Sequence, residues 1–268
     1  MHAEEKLTRL EEWFSRHGSA VVAFSGGVDS SVVAAAAKRA LGDRALAVTA
    51  ESSTLSKREL SIARQVAREI GIRHRVIKED ELEDERFAAN PENRCYYCRA
   101  KLAGALKEIA EREGYAVVVD GAHVGDTREH RPGLKALKEY GVRSPLLELG
   151  LDKQDVREIA ALLKLSVKDK PAMACLASRI PYGERITREK LERVEKAESF
   201  FFERGFTTVR VRVHGDIARV ELLREEIPLA VQLREEIVAH LKALGFTYVT
   251  LDLEGYRSGS MDEVLRKK

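Results

Sequence analysis

Cysteine is scarce in this chain: Cys95, Cys98 and Cys175 are the three in 268 residues. Asparagine occurs only as Asn90 and Asn93, and glutamine only as Gln65, Gln154 and Gln232, whereas Asp, Glu, Lys and Arg make up 34%. Few heat-labile amides among many charges is the usual bias of heat-adapted proteins. No apolar run approaches the ~20 residues of a membrane-spanning helix, which excludes that class. An excess of one charge is missing too. With 46 basic and 44 acidic residues the net charge is +2, which gives no reason to expect a nucleic-acid partner. The opening stretch "MHAEEKLTRLEEWF" is charged and helix-patterned, unlike an export signal, so a cytoplasmic protein is expected. An odd number of cysteines in that setting argues against disulfides and for metal binding or thiol chemistry.

What is present begins with alternating strand and helix signals. "AVVAF" (20–24) reads as a buried parallel strand, followed by the Ala-rich helix "SSVVAAAAKRALG". "RALAVTAE" and "RHRVIK" read as further strands around the helix "SKRELSIARQVAREIG". "CYYCRAKLAGALKEIAEREG" reads as a helix beginning near Cys98, and "AVVVDGAH" as the next strand. This alternation predicts an α/β fold with a doubly wound parallel sheet, whose ligands bind beyond the carboxyl ends of the strands. After "DKPAMACLASRIPYGERIT" the character changes. A helix (188–205), a hairpin turning at His214 to Asp216, one long helix (224–245) and a strand predict a smaller α+β domain. The expected division is 1–175 and 176–268.

"SGGVDSS" follows the first strand and opens the first Ala-rich helix. Gly26 and Gly27 permit close backbone approach, and the helix N-terminus offers N–H groups and partial positive charge to an anion. Ser25, Ser30 and Ser31 add hydroxyls, and Asp29 is suited to hold Mg²⁺ through oxygen. A tight turn capped by Asp29-Ser30 is the blander alternative. The complete string resembles the loop of the PP-loop ATP pyrophosphatases, and it lacks the Gly-Lys-Ser/Thr of a Walker loop. The resemblance implies ATP cleavage between the α and β phosphates. It also implies that Ser25, Gly26, Gly27, Asp29 and Ser30 grip the pyrophosphate while backbone near Val48 and Thr49 holds adenine. Asp126 and Arg128 follow a later strand end, Asp126 as a further Mg²⁺ ligand.

The C-x-x-C of "NPENRCYYCR" lies in a polar context, and Cys175 stands far along the chain. Apolar filler, a redox pair and a zinc site with His74 or His123 as fourth ligand all remain open. Three thiolates also suit a [4Fe-4S] cluster with one open iron, able to carry a sulfide for the group that ATP activates.

"DKPAMACLASRIPYGERIT", "VRVRVHGDIARVE" and "GYRSGSMDEVL", together with "FSGGVDSS", resemble the LarE family across nearly the whole chain. That family makes the sulfur-bearing nucleotide from which the nickel-pincer cofactor of lactate racemase is built. The resemblance implies adenylation of each carboxylate of a pyridinium-3,5-biscarboxylate mononucleotide and conversion to a thiocarboxylate. Some members sacrifice the sulfur of the cysteine at the Cys175 position, and others bind a [4Fe-4S] cluster. Cys95, Cys98 and Cys175 place this chain with the latter, the sulfide donor being left open. Cys175, Asp29 and Ser30 are then the expected catalytic residues, and a homo-oligomer is expected.

A substrate bearing a phosphate and two carboxylates calls for guanidinium forks. Ser178, Arg179, Arg210 and Arg212 are the candidates, with Arg210 and Arg212 on one face of a strand. The alternatives are a solvated hairpin stripe and, for Ser178, a turn cap. Glu198 and Glu221 are read as divalent-ion ligands or solvated carboxylates, Tyr96 and Tyr97 as cluster shield, pyridinium stack or packing, and Met173 as packing. The rivals are an iron–sulfur tRNA thiolase, which would carry Lys where this loop has Val28, an NAD synthetase-like enzyme, and a non-catalytic ATP-binding module.

Overall fold

The computed structural model describes residues 2–128, 132–171 and 174–266, and they form two compact units. The first comprises Met1–Asp84 and Asn93–Met173, the second Glu85–Glu92 and Ala174–Lys268.

In the first unit, β1 (Ala20–Ala23), β2 (Ala45–Glu51), β3 (Arg73–Lys78) and β4 (Val117–Val119) pair in parallel in the order β3-β2-β1-β4. Period-two alternation assigns the faces. Val22 and Ala47 point toward α1 (Ala3–His17), α2 (Val28–Leu41) and α3 (Lys57–Ile70). Val21, Ala23, Leu46 and Val48 point toward α4 (Arg94–Glu113). The run Ala34–Ala37 is buried and lets α2 lie close on the sheet. β3, at the sheet edge, is only partly buried along its length, which fits its charged sequence.

The α/β expectation holds. α4 begins at Arg94, not near Cys98, so both thiols of the C-x-x-C stand in its opening turns. The strand expected over "AVVVDGAH" pairs only through Val119, and Asp120 to His123 turn away beyond the sheet. Because the chain winds outward from β1 to β3 and returns to β4 on the other side, β1 and β4 flank the switch point where such sheets bind ligands.

The second unit has a three-stranded sheet, order β5-β6-β7. β5 (Val209–His214) and β6 (Ile217–Leu222) form the expected hairpin, closed by Gly215 and Asp216, and β7 (Tyr248–Leu251) joins β6 in parallel. The helix expected over 224–245 is broken into Arg224–Glu226, Ile227–Gln232 and Arg234–Ala243. Pro228, which has no N–H to give the preceding turn, starts the middle segment.

The second unit also includes residues 85–92, which the expected division at 175/176 leaves in the first domain. Asn90 accounts for this. It is fully buried in a left-handed conformation (φ 57°), and its Nδ2 donates to the carbonyls of Ile180, Pro181 and Glu184 at 3.2, 2.7 and 3.0 Å. Among the described residues no helix is long and apolar enough to cross a membrane.

Candidate active site

At the end of β1, the Phe24 N–H donates to the Val48 carbonyl at 2.8 Å, the last rung between β1 and β2. The chain then turns through Gly26, where φ is +69° and a Cβ would lie 2.6 Å from the Cα of Ala63. Glycine is required there on both counts. Gly27 caps α2 with extended backbone and no side-chain acceptor, so the first N–H groups of the helix are left for another partner.

The serines fold the loop onto itself. Ser31 Oγ donates to the Gly27 carbonyl at 2.7 Å, Ser30 Oγ does so at 3.2 Å, and the Ser25 N–H donates to Ser30 Oγ at 3.3 Å. Across the switch point, a Cβ on Gly121 would lie 2.8 Å from the Ser30 nitrogen, so the loop after β4 packs directly on the opening of α2.

Asp29 lies in the first turn of α2, and Lys153 Nζ donates to both its carboxylate oxygens at 2.7 Å. Lys153 opens α5 (Lys153–Leu162), whose start is fixed by Asp152 accepting the Asp155 N–H at 3.0 Å. His123 Nε2 is 3.9 Å from Asp29 Oδ1, and the backbone N–H of His123 donates to Asp126 Oδ2 at 2.9 Å. Lys153 and His123 escaped the sequence reading in these roles. Lys153 lies 124 positions from Asp29, and its one signal is a lysine directly after a helix cap. The described backbone reaches Arg128, but its side chain lies outside the description, as does all of Met173. Val28 is 4% exposed and packs in the core of the first unit.

Val48 is buried, with its carbonyl taken by β1; Thr49 Oγ1 donates to the Phe24 carbonyl at 2.6 Å. That hydroxyl proton being spent, the 2.8 Å contact with His74 Nε2 requires His74 to donate.

In the second unit the arginines form a buried network, not a solvated stripe. Arg179 is 1% exposed and grips Glu198 bidentately, Nε to Oε1 and Nη2 to Oε2, both at 2.8 Å. Its Nη1 donates to the carbonyls of Ala174 and Cys175 at 2.8 and 3.0 Å and to Ser178 Oγ at 2.9 Å. Arg179 is thus a brace for the segment that carries Cys175. Burial opposes its charge, but the attraction of Glu198 outweighs it and holds the guanidinium above its ordinary pKa.

Arg212 donates to Glu221 Oε2 at 2.7 Å, to Ser260 Oγ at 3.1 Å and to the Ser178 carbonyl at 3.1 Å. Glu198 and Glu221 are therefore neither solvated nor open to a divalent ion, since guanidinium groups hold both. Arg210 is 2% exposed and lies 5.1 Å from the Tyr256 ring centre. Its Nη1 donates to the Val209 carbonyl at 2.7 Å, and burial, then the like charge of Arg179, pull it below its ordinary pKa.

None of the three cysteines is in a disulfide; Cys95 and Cys175 are exposed and Cys98 is partly buried. Cys95 and Cys98 are three apart at the start of α4, on one helix face. Cys98 Sγ lies 3.7 Å from Oε1 of Glu81, a buried carboxylate whose pKa is raised by desolvation despite its hydrogen bonds. Tyr96 donates to Glu139 and stands edge-on to Tyr97. Among the described residues no three His, Cys, Asp or Glu side chains are grouped so as to hold a metal ion. The donor set itself, three reduced thiols of which two share a helix face, fits an iron–sulfur cluster by its softness.

The family described as asparagine synthase matches residues 17–113, a span that includes the glycine loop. An uncharacterized protein of Synechocystis sp. is 47% identical over 266 residues, covering 98% of this chain and 99% of that protein. The pyridinium-3,5-bisthiocarboxylic acid mononucleotide synthase of Lactiplantibacillus plantarum is 40% identical over 247 residues, covering 92% of this chain and 90% of that enzyme. An uncharacterized protein of Methanocaldococcus jannaschii is 30% identical over 249 residues, covering 93% and 94%. A glycine cradle at the switch point and a likeness running almost end to end lead to one assignment: the chain belongs to the LarE family.

Proposed function

We propose that the chain is an ATP-dependent sulfurtransferase that adenylates the carboxylates of pyridinium-3,5-biscarboxylic acid mononucleotide and converts them to thiocarboxylates. The observation that carries this reading is the near-full-length likeness to a synthase of that product.

A carboxylate oxygen attacks the α-phosphorus of ATP, and the bond to the β-phosphate breaks with its electron pair leaving on pyrophosphate. A sulfide sulfur then attacks the acyl carbon, and AMP departs with the pair of the broken C–O bond. Oxygen is exchanged for sulfur with no net oxidation. The N–H groups opening α2, the hydroxyls of Ser25 and Ser30, and Lys153 take up the charge of the departing pyrophosphate. Asp29 and Asp126, oxygen donors at that point, would hold Mg²⁺ together with phosphate oxygens. Adenine would rest against the backbone near Val48 and Thr49, at the end of β2. Val48 faces β1, and Ala50, on the same edge by alternation, lies past the last rung.

In the second unit, Ser178, Arg210 and Arg212 would receive the anionic groups of the pyridinium nucleotide, Arg179 fixing the segment beside them. Cys95, Cys98 and Cys175 would hold a [4Fe-4S] cluster, which when bound supplies sulfide to the activated carboxylate. Reduced thiols and such a cluster fit work in the cytoplasm, as a homo-oligomer.

The test is incubation of anaerobically purified protein with ATP, Mg²⁺ and the biscarboxylate nucleotide. AMP and a product carrying sulfur in place of oxygen are expected, with iron and acid-labile sulfide bound to the protein. Absence of AMP would sink the enzymatic reading. An unchanged protein mass after repeated turnover supports cluster-borne sulfide, and loss of H₂S from Cys175 overturns it.

A further inference from the structure

His123 is out of place as a structural residue. It is 8% exposed, and its Nδ1 is buried without a hydrogen-bond partner. Its ring lies between two carboxylates, Nε2 3.9 Å from Asp29 Oδ1 and Nδ1 3.7 Å from Asp126 Oδ2, too far from either for a hydrogen bond. A Cβ on Gly125 would lie 2.9 Å from the ring's Cε1, so the backbone closes over the imidazole and fixes where it stands. The orphaned Nδ1 carries a cost that a purely structural site would relieve, and on the other side of the ring Nε2 faces Asp29 at 3.9 Å without reaching it. Three facts say what the ring waits for. It follows β4 at the switch point, Gly121 of the same loop packs on the Ser30 nitrogen, and Asp29 is shared with Lys153 on the first turn of α2.

We propose that His123 is a catalytic residue of the ATP site, donating through Nε2 to a phosphate oxygen of the nucleotide and helping Lys153 stabilise the departing pyrophosphate. This rests on the ATP-using reading above. In the adenylation step its contribution is one hydrogen bond to charge that grows on the leaving group as the bond to the α-phosphorus breaks; no bond to His123 forms.

Two variants separate donation from packing. His123→Leu fills the space without a donor, whereas His123→Gln keeps an N–H. Binding of inorganic pyrophosphate with Mg²⁺ is measured by calorimetry, and AMP formation is followed with the biscarboxylate nucleotide. His123→Leu is expected to bind pyrophosphate about tenfold or more weakly, the size of one hydrogen bond to a charged group, with kcat reduced as well. His123→Gln is expected to recover most of the affinity. Melting of the unliganded Leu variant should match that of the wild type or exceed it, since an unsatisfied polar group is removed. Wild-type affinity in His123→Leu, or equal losses in both variants, overturns the inference. If the wild type itself binds neither ATP nor pyrophosphate, the ATP reading falls and this one with it, an outcome distinct from the other two.

Discussion

Replacing Arg179 with Met removes the cation from a pair in which both partners are buried, Arg179 at 1% and Glu198 at 4% exposure. Among the described residues Glu198 would keep one hydrogen bond, from the Val211 N–H at 3.0 Å, and the weaker attraction of Arg210. Removing one member of a buried ion pair costs about 3–5 kcal/mol, because the remaining charge is left uncompensated. The lost bonds to the Ala174 and Cys175 carbonyls add about 1 kcal/mol each. Against a typical stability of about 5–15 kcal/mol this is a large fraction. The double replacement Arg179→Met/Glu198→Met removes both charges and should recover most of the stability. It cannot restore the brace on the Cys175 carbonyl, so its iron content after anaerobic reconstitution should stay low. Urea unfolding followed by far-UV circular dichroism reads the first effect, because Trp13, the one tryptophan, lies in the first unit. Iron analysis reads the second. A single variant within about 1 kcal/mol of wild type would refute the reasoning, as would a double variant no more stable than the single one.

Gly26→Ala should cost about 2–4 kcal/mol through the contact with Ala63 and the left-handed backbone, and should abolish ATP binding; a thermal melt and calorimetry check the two. Lys153→Met should leave stability within about 1 kcal/mol, since the pair with Asp29 is partly exposed, yet slow AMP formation at least tenfold in a single-turnover assay. His74 has its pKa lowered, first by burial and then by the positive Arg64. The unfolded chain therefore binds this proton more readily than the folded one. Stability should drop as pH falls below about 6.5 toward the folded value, and His74→Gln should flatten that drop in a series of melts at different pH.

Much of this architecture was legible in the sequence because its signals are local. Apolar runs, the glycine after each helix and the Ser-Gly-Gly string each lie within a few residues, and they locate β1, α2 and the glycine turn between them. What was not legible depends on partners far apart in the chain. Arg210 and Arg212 alternate with Val209, Val211 and Val213, which in isolation reads as one wet and one dry face. Both faces of β5 are buried: Glu198 of α6 (Arg188–Glu203) accepts from the Val211 N–H, and Glu221 of β6 accepts from Arg212. Asn90 has no role that the sequence signals, since nothing near it points to three acceptor carbonyls some ninety positions later. The broken helix over 224–245 is the reverse case: Pro228 was a local signal, outweighed by the helix-forming residues around it.

The passage of the chain through residues 85–92 bears on how this protein can be divided, in the laboratory or in evolution. The backbone leaves the first unit after Asp84, returns at Asn93 and leaves again after Met173, so no single cut separates the units. A chain truncated after residue 173 would still carry the buried Phe87 and Ala88 without the unit they belong to, and Asn90 without the carbonyls of Ile180, Pro181 and Glu184. Its complement would lack the eight residues that clasp its own first loop. Such a pair of units is inherited whole. A chain divided in this way cannot exchange its second unit by simple fusion of genes, because residues 85–92 of that unit lie in sequence between the two segments of the first.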